Sequence, residues 1–215
     1  MNNDLEKFRN KLICMEGIDH SGKSTIAKSL VNFLNGVDIP AIYTFQPGDI
    51  QFGPHAEIMR DFCTRKTYNL DPLSNFFAFL LDRSEQTVNV VSPALKEGKT
   101  VVCDRWWYST IAYQFYGKQL LEKYKLNIEF ANWMNELASH FIEPDVVLYF
   151  NRPQELVDTT PQNEKDVFET ESEGFKMRVR DAYLKMLEEN PKFVEILVDR
   201  DPGITLNRVI EVDVG

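Results

Sequence analysis

Residues 17–24 read Gly-Ile-Asp-His-Ser-Gly-Lys-Ser and fit the pattern G-x-x-x-x-G-K-[ST]. An apolar run, Leu12–Met15, precedes the motif, and a segment of helical period, Lys23–Leu34, follows it. In this context the glycines allow successive backbone N–H groups to point at phosphate oxygens. The N-terminus of the following helix adds its dipole to the same site. We therefore expect a loop that binds the phosphates of ATP, formed by Gly17, Ile18, Asp19, His20, Ser21, Gly22, Lys23, Ser24 and Thr25.

A second marker of phosphate chemistry follows the apolar run Thr100–Cys103, where the chain reads Asp104-Arg105. Lys23 is expected to place its charge on the β- and γ-phosphates, and Ser24 to complete the shell of a magnesium ion. Asp104, at the carboxyl end of a buried strand, is the expected second anchor for that ion. Arg105 would lie at the same sheet edge and could clamp an acceptor phosphate. The alternatives are a helix N-cap for Asp104 and a surface salt bridge for Arg105.

Short runs rich in apolar and β-branched residues alternate with longer segments of helical period. Such nearly continuous apolar runs are typical of parallel strands that are buried on both faces. The pattern predicts a three-layer α/β/α P-loop NTP hydrolase fold with a five-stranded parallel sheet, in a single domain over residues 1–215. The expected strands are Leu12–Met15, Ala41–Phe45, Thr100–Cys103, Val146–Phe150 and Val194–Val198. The expected helices lie near Lys23–Leu34, Gly53–Arg65, Pro72–Lys96, Tyr108–Tyr116, Ile128–His140 and Glu169–Glu188.

Two segments depart from this alternation. The stretch Asp158–Asp166 is polar, contains Pro161 and has no apolar period. We expect it to belong to a lid over the site, approximately residues 152–167, although an ordinary surface loop is the alternative. The stretch Ser74–Val91 is apolar on nearly all sides of a helix, which predicts burial on more than one face. One of those faces could form a subunit interface or line a ligand pocket.

Composition limits the partners. The formal net charge of −9 argues against a nucleic-acid binder. No run approaches eighteen apolar residues and the polar start lacks a signal peptide, so no membrane partner is expected. The three cysteines, Cys14, Cys63 and Cys103, are odd in number and widely spaced, which predicts free thiols and a cytoplasmic location.

A phosphate loop alone leaves hydrolase, switch, motor and kinase open. The chain of 215 residues contains no N-K-x-D segment of the kind that commonly recognises guanine. A kinase of a small phosphate can be built in one compact domain with a short lid. These features favour a small-molecule kinase without naming the acceptor.

Five motifs follow one another along the chain. They are MEGIDHSGKST around the loop, QPG at residues 46–48, FAFLLDR at 77–83, DRWWYSTIAYQ at 104–114 and FKMRVRDAYLKM at 175–186. In order and spacing these motifs resemble those of the thymidylate kinases. The resemblance runs from about Leu12 to Asp199 and implies the P-loop nucleoside monophosphate kinase fold, a homodimer packed through helices, and phosphoryl transfer from ATP to dTMP with Mg²⁺.

The resemblance also implies roles for individual residues. Phe79 matches the aromatic residue that stacks on thymine, and Arg83, one helical turn further, matches the arginine that hydrogen-bonds the base. Arg105 matches the arginine on the dTMP phosphate, and Tyr113 the ring that favours deoxyribose. Asp19 matches an acid near the acceptor 3′-hydroxyl. The implied substrate-binding set is Asp19, Phe79, Arg83, Arg105, Ser109, Tyr113 and Gln114. Core packing is the alternative for Phe79 and Tyr113, and a surface position is the alternative for Gln114.

Some arginines of the family pattern are missing. His20 stands where one branch of the family has an arginine, and Val167 replaces the arginine at the end of the lid. The family segment T-R-E-P-G appears at residues 44–48 as T-F-Q-P-G, without an arginine for the acceptor phosphate. An arginine at the transition state contributes roughly 10³–10⁵ in rate, so we expect Arg152 or Arg178 to substitute. The catalytic set is then Lys23, Arg105, Asp19 and Arg152.

Three functions remain open at this stage. The first is a thymidylate kinase, or a deoxynucleotide kinase of shifted base preference. The second is a deoxynucleoside kinase, for which Glu16 could act as the base. The third is a low-activity nucleotide-binding regulator, suggested by the missing arginines.

Overall fold

Five parallel strands form one sheet in the order β2-β3-β1-β4-β5. The computed structural model describes residues 4–64, 68, 70–153, 168 and 171–214. All five expected strands are present within a residue or two of their expected ends. They are β1 Leu12–Glu16, β2 Ala41–Phe45, β3 Thr100–Asp104, β4 Val146–Asn151 and β5 Phe193–Leu197.

Helices connect the strands. The expected helix over Pro72–Lys96 is continuous, because a π-helical segment at Thr87–Val91 joins α3 to α4. A second π-helical segment, Ile111–Gly117, continues α5. The helices are α1 Lys23–Gly36, α2 Ala56–Thr64, α3 Pro72–Gln86, α4 Ser92–Lys96, α5 Trp107–Thr110, α6 Leu120–Tyr124, α7 Ile128–Ala138, α8 Glu173–Glu189 and α9 Pro202–Glu211.

Two expected helix boundaries were wrong. Helix α8 begins at Glu173 rather than at Glu169, because the Ser172 hydroxyl accepts a hydrogen bond from the Phe175 N–H at 3.2 Å and caps the helix there. Helix α2 begins at Ala56 rather than at Gly53. The expected lid falls outside the described residues, apart from Arg152 and Pro153.

Helices cover both faces of the sheet, which confirms the three-layer fold. Alternate residues of β1 point to opposite faces, so that Ile13 and Met15 join one apolar cluster while Leu12 and Cys14 join the other. The first cluster includes residues of α1 and α9, and the second includes residues of α8, α5 and the adjoining π-helical segment. None of the helices in the described ranges is long and apolar enough to cross a membrane.

The carboxyl ends of β1 and β3 meet at one sheet edge. Met15 pairs with Asp104 in the register of the two strands. The Arg105 N–H then donates to the Met15 carbonyl at 2.9 Å. This pairing places the loop after β1 beside the Asp104-Arg105 segment, at the edge where parallel α/β sheets bind ligands.

Candidate active site

The loop after β1 curls tightly before α1. Gly17 has φ 141° and Gly22, the N-cap of α1, has φ 88°. A Cβ at Gly17 would lie 2.8 Å from the Phe150 carbonyl oxygen, so a side chain is excluded there by contact as well as by conformation. The backbone amides at the start of α1 are therefore arranged to meet an anion.

Lys23 folds back over this loop. Its Nζ donates to the Ile18 carbonyl at 2.7 Å and to Ser21 Oγ at 3.1 Å, and the residue is 5% exposed. Burial, followed by the nearby Arg105 charge, lowers the pKa of Lys23 to about 8. The ammonium group is thus held at the place where the loop would receive phosphate oxygens.

Ser24 and Asp104 come together across the site. The Ser24 hydroxyl donates a hydrogen bond to the Asp104 carboxylate, joining the start of α1 to the end of β3. The N-cap position of α5 belongs to Trp106, so Asp104 is not the helix N-cap that was the alternative reading. A hydroxyl and a carboxylate are hard oxygen ligands of the kind that Mg²⁺ prefers, and the pair therefore suits that ion.

Arg105 is held by the phosphate loop. It forms an ion pair with Asp19, and its Nη1 donates to the Gly17 carbonyl at 3.0 Å and to Ser109 Oγ at 2.9 Å. The Tyr113 hydroxyl accepts from Arg105 at 3.2 Å and donates to Asp19 at 3.0 Å. Burial acts to raise the pKa of Asp19, but Arg105 and the neighbouring donors hold it below its ordinary value. Arg105 is part of the site rather than of a surface salt bridge.

Glu16 is fully engaged beneath this group. Its Oε1 accepts from the backbone N–H groups of Trp106 at 2.8 Å and Ser109 at 3.2 Å. Its Oε2 accepts from Ser109 Oγ at 2.5 Å and from the Tyr183 hydroxyl at 2.8 Å. Burial raises the pKa of Glu16, which has no exposed surface. The carboxylate therefore anchors the connection between β3 and α5.

A cavity of about 430 Å³ opens on one side of the phosphate loop. The ring of Phe79 lies on its wall, 6.1 Å from the ring of Phe168 between centroids. The structure brings every expected substrate-binding residue to this cavity. They are Asp19, Phe79, Arg83, Arg105, Ser109, Tyr113 and Gln114.

Gln114 is notable in this wall. It is 1% exposed, and neither its amide oxygen nor its amide nitrogen has a hydrogen-bond partner among the described residues. Buried amides are ordinarily paired, because an unmade hydrogen bond costs about 1–3 kcal/mol. Gln114 is therefore a buried wall residue with an unpaired amide, and it does not occupy the surface position that was the alternative.

A second cavity, of about 540 Å³, lies on the other side of the loop. Its lining includes Ser21, Gly22 and Thr25 of the loop, together with Arg152, Val198, Asp199, Arg200 and Pro202. Arg152 Nη1 donates to the His20 carbonyl, so this guanidinium lies against the phosphate loop. The loop thus separates two cavities, each large enough for part of a nucleotide.

The chain is similar to known enzymes along most of its length. The family model described as Thymidylate kinase matches residues 15–204. The chain belongs to the thymidylate kinase family. It is 35% identical over 188 residues to the thymidylate kinase of Fervidobacterium nodosum, with 86% of this chain and 88% of that protein covered. It is 33% identical over 201 residues to that of Coprothermobacter proteolyticus, with 93% and 96% covered. The crystal structure of thymidylate kinase from Ehrlichia chaffeensis matches with a TM-score of 0.72 at 26% identity, covering 94% and 97%.

Sequence reasoning missed several residues of this thymidylate kinase site. Arg60 of α2 lines the cavity of about 430 Å³, donates to the Pro47 carbonyl at 2.9 Å and lies over the Phe45 ring at 5.8 Å. It supplies a cation beside the position where the family's arginine is replaced by Phe45. Gln46 and Thr110 also line the cavity. Thr110 stands within the quoted segment 104–114 and was recognisable there, whereas nothing local to Arg60 marks it.

The two arginines considered as substitutes occupy different places. Arg178 donates to the Gly117 carbonyl through Nε at 3.2 Å and Nη2 at 2.8 Å, and it lines neither cavity. Arg152 reaches the loop through His20. Because Arg152 contacts the phosphate loop and Arg178 does not, the geometry favours Arg152 as the substitute for the missing family arginine.

Proposed function

We propose that this chain is a thymidylate kinase, which transfers the γ-phosphoryl group of ATP to dTMP and gives dTDP. One observation carries the proposal beyond family membership: the phosphate loop lies between two cavities. Ser21 and Thr25 line the cavity assigned to ATP, while Asp19 and Ser24 line the cavity assigned to dTMP. Lys23 lies in the loop between them, where the donor and acceptor phosphates would meet.

Magnesium would be held by Ser24 and Asp104. Their hydroxyl and carboxylate oxygens already meet, and both residues line the acceptor-side cavity. When bound, the ion supplies positive charge to the phosphate oxygens during transfer. Mg²⁺ is thus the proposed cofactor, with ATP as the phosphoryl donor.

The reaction needs positioning and charge rather than a general base. The attacking dTMP phosphate oxygen is already ionised at neutral pH, so the site must bring two polyanions together. Lys23 would bind the transferred group, and Arg105 would hold the acceptor phosphate with Asp19 fixing its orientation. Arg152, beside His20, would add positive charge from the ATP side. Arg60 would provide a second guanidinium on the acceptor side.

The base and sugar would occupy the far end of the acceptor cavity. Phe79 offers a flat apolar face for the pyrimidine, and Arg83 offers donors. Gln114 offers an unpaired donor and acceptor, which suit the N3–H and carbonyl edge of thymine. Tyr113, held by Asp19 and Arg105, would face the deoxyribose.

Glu16 argues against the deoxynucleoside kinase alternative. That reaction needs a carboxylate free to take the proton of a 5′-hydroxyl, and Glu16 accepts four hydrogen bonds from its own protein. A coupled ADP-release assay with dTMP, dUMP, dCMP, dGMP and thymidine separates the candidates. We expect dTMP to give the highest kcat/KM. Turnover of thymidine alone would support the nucleoside kinase, and tight ATP binding without turnover would support a regulator.

We also propose a homodimer built on α3 and α7. Phe77 and Leu81 of α3 are each 50% exposed, and Trp133 and Leu137 of α7 are 52% and 45% exposed. The two helices are neighbours, since the Arg83 guanidinium of α3 donates to the Asn135 amide oxygen of α7. Exposed apolar rows on adjacent helices are typical of a subunit interface. Such an interface would bury the second face that the apolar stretch Ser74–Val91 is expected to bury.

The remaining expectations concern partners and location. The net charge of −9 supports the proposal that the chain binds nucleotides but not nucleic acid. Cys14 of β1 lies opposite Cys103 of β3 in the sheet register. Both are free thiols, as is Cys63. Free buried thiols support a cytoplasmic location, which stays a proposal together with the absence of a membrane partner.

A further inference from the structure

Four hydrogen-bond donors fill the Glu16 carboxylate. An ionised carboxylate offers about four lone-pair positions. Oε1 accepts from the backbone N–H groups of Trp106 and Ser109, at 2.8 and 3.2 Å. Oε2 accepts from the hydroxyls of Ser109 and Tyr183, at 2.5 and 2.8 Å. The carboxylate therefore has a protein donor for each of its acceptor positions.

Arg105 lies close to this carboxylate, yet no ion pair between the two is present in the described part of the chain. The Arg105 charge acts on Glu16, because it opposes the effect of burial, which raises the pKa of that carboxyl. Ser109 Oγ stands between them, since it accepts from Arg105 Nη1 at 2.9 Å and donates to Glu16. Arg105 pairs with Asp19 of the phosphate loop instead, and both residues line the acceptor cavity.

The backbone of Arg105 depends on the same carboxylate. Arg105 has φ 72°, in the left-handed region that residues other than glycine rarely adopt. The next residue, Trp106, donates its N–H to Glu16 Oε1. Such a backbone conformation persists only where the surrounding contacts hold it. Glu16 therefore helps to fix both the start of the Arg105 side chain and the direction of its guanidinium.

The fourth donor, Tyr183, comes from α8, whereas the other three belong to Trp106 and Ser109 of the β3–α5 connection. Tyr183 has no exposed surface, and its ring stacks on Tyr149 of β4 with 5.3 Å between the centroids. Its hydroxyl lies 2.9 Å from Ser109 Oγ as well. Without this hydroxyl a buried lone pair of Glu16 would be unpaired, which is costly. Arg105, already bonded to Ser109, is a cation that could turn inward to fill it.

We propose that Tyr183 is a positioning residue for Arg105. By completing the donors of Glu16, it keeps the guanidinium directed to Asp19 and to the acceptor phosphate. This inference rests on the proposed function, in which Arg105 holds the phosphate of dTMP. Tyr183 acts through Glu16 and Ser109, so α8 contributes to acceptor binding by means of a buried hydroxyl.

Tyr183→Phe tests the inference with a small change, because the ring and its stacking on Tyr149 are kept. We expect the KM for dTMP to rise about threefold to tenfold, since the guanidinium turns inward and its bond to the acceptor phosphate weakens. The KM for ATP should stay unchanged. Tyr149→Phe removes the same atom from the neighbouring stacked ring and is the matched control. Thermal unfolding establishes that each variant is folded, and KM does not depend on the fraction of active protein.

A double-variant cycle tests whether Tyr183 acts through Arg105. Arg105→Met removes the guanidinium, so the addition of Tyr183→Phe should cause no further loss of kcat/KM for dTMP. Rates at limiting dTMP give this ratio even where a variant cannot be saturated. A role of Tyr183 in packing alone would lower kcat/KM by the same factor with and without the guanidinium.

The outcomes separate this inference from the proposed function. If the unmodified protein does not turn over dTMP with ATP, the proposed function fails and this inference fails with it. If it does, and Tyr183→Phe has the same dTMP KM as Tyr149→Phe, the proposed function stands and the positioning role is excluded. Equal factors of loss with and without Arg105 would also overturn the inference, because the effect would not pass through the guanidinium.

Discussion

The Ser24 hydroxyl donates a hydrogen bond to the Asp104 carboxylate, and this bond joins the start of α1 to the end of β3. The two residues are 80 positions apart in the chain, and the register between β1 and β3 brings them together. Because both present oxygen to the same point, a hard cation bound there would lie beside the phosphate loop. The proposed magnesium site thus depends on sheet topology as much as on the loop motif.

Asp104→Asn should weaken Mg²⁺ binding without unfolding the protein. Asparagine retains an oxygen that accepts from Ser24, but it lacks the negative charge that attracts the ion. We expect the Mg²⁺ concentration for half-maximal rate to rise about tenfold or more, with unchanged thermal stability. Titration of Mg²⁺ in the coupled ADP assay measures this. Asp181→Asn, on the exposed side of α8, is the control. An unaltered Mg²⁺ dependence in Asp104→Asn would remove Asp104 from the site.

Lys23 should control the alkaline limb of the pH profile. Burial lowers its pKa to about 8, so the free enzyme loses this positive charge as the pH rises through that value. Arg105 stays charged, because against the effect of burial Tyr113 and Asp19 raise its pKa well above its ordinary value. We expect kcat/KM for ATP to fall above pH 8, since this ratio reports the free enzyme.

The kcat profile provides the internal check. Bound phosphates favour the charged lysine, so kcat should decline at a higher pH than kcat/KM does. Steady-state rates between pH 6 and 10 at saturating and limiting ATP distinguish the two profiles. A kcat/KM for ATP that stays level up to pH 10 would contradict the assigned role of Lys23.

Arg60→Ala should weaken acceptor binding. The guanidinium lies on the acceptor cavity beside Pro47, where it can meet the dTMP phosphate. A charge-assisted bond contributes about 1.5–3 kcal/mol, so kcat/KM for dTMP should fall about tenfold to a hundredfold. The KM for ATP should be unaffected. Arg180→Ala, at an exposed position of α8, is the matched control. Equal kcat/KM values for the two variants would exclude Arg60 from acceptor binding.

The strands and the phosphate loop were predictable because their signals are local. Continuous apolar runs indicate buried parallel strands, and the motif specifies its own turn. Helix α9 was missed although a signal existed. Its first residues, Pro202-Gly203, suggest a loop, but Asp201 accepts from the Gly203 N–H at 2.8 Å and caps a helix with proline at its start.

The surroundings of the site depend on contacts between distant segments. Asn135 lies 52 residues from Arg83, and no local pattern announces that the two meet. Glu16 stands directly before the loop and was a candidate base, yet the hydroxyls of Ser109 and Tyr183 donate hydrogen bonds to its carboxylate. Sequence pattern therefore identifies candidate groups, whereas the packing of the fold decides which of them remain free to act.

Arg152→Ala should slow phosphoryl transfer. Its guanidinium donates to the His20 carbonyl at the phosphate loop, where one branch of the family has an arginine in place of His20. We expect kcat to fall about a hundredfold or more, because such a cation acts on the transition state. Arg178→Ala is the control, since that arginine binds the Gly117 carbonyl away from both cavities. Single-turnover rates measure the step directly, and an unchanged rate in Arg152→Ala would eliminate Arg152 as the substitute.

Leu81→Lys should disrupt the proposed homodimer. Leu81 is 50% exposed within the apolar row of α3, and a buried lysine in an interface would leave an unpaired charge. Light scattering at several concentrations should give the mass of two chains for the unmodified protein and of one chain for the variant. Ile204→Lys makes the same kind of change at a residue of α9 that is 43% exposed, and it should remain dimeric. A monomeric unmodified protein, or a dimeric Leu81→Lys variant, would place the interface elsewhere or remove it.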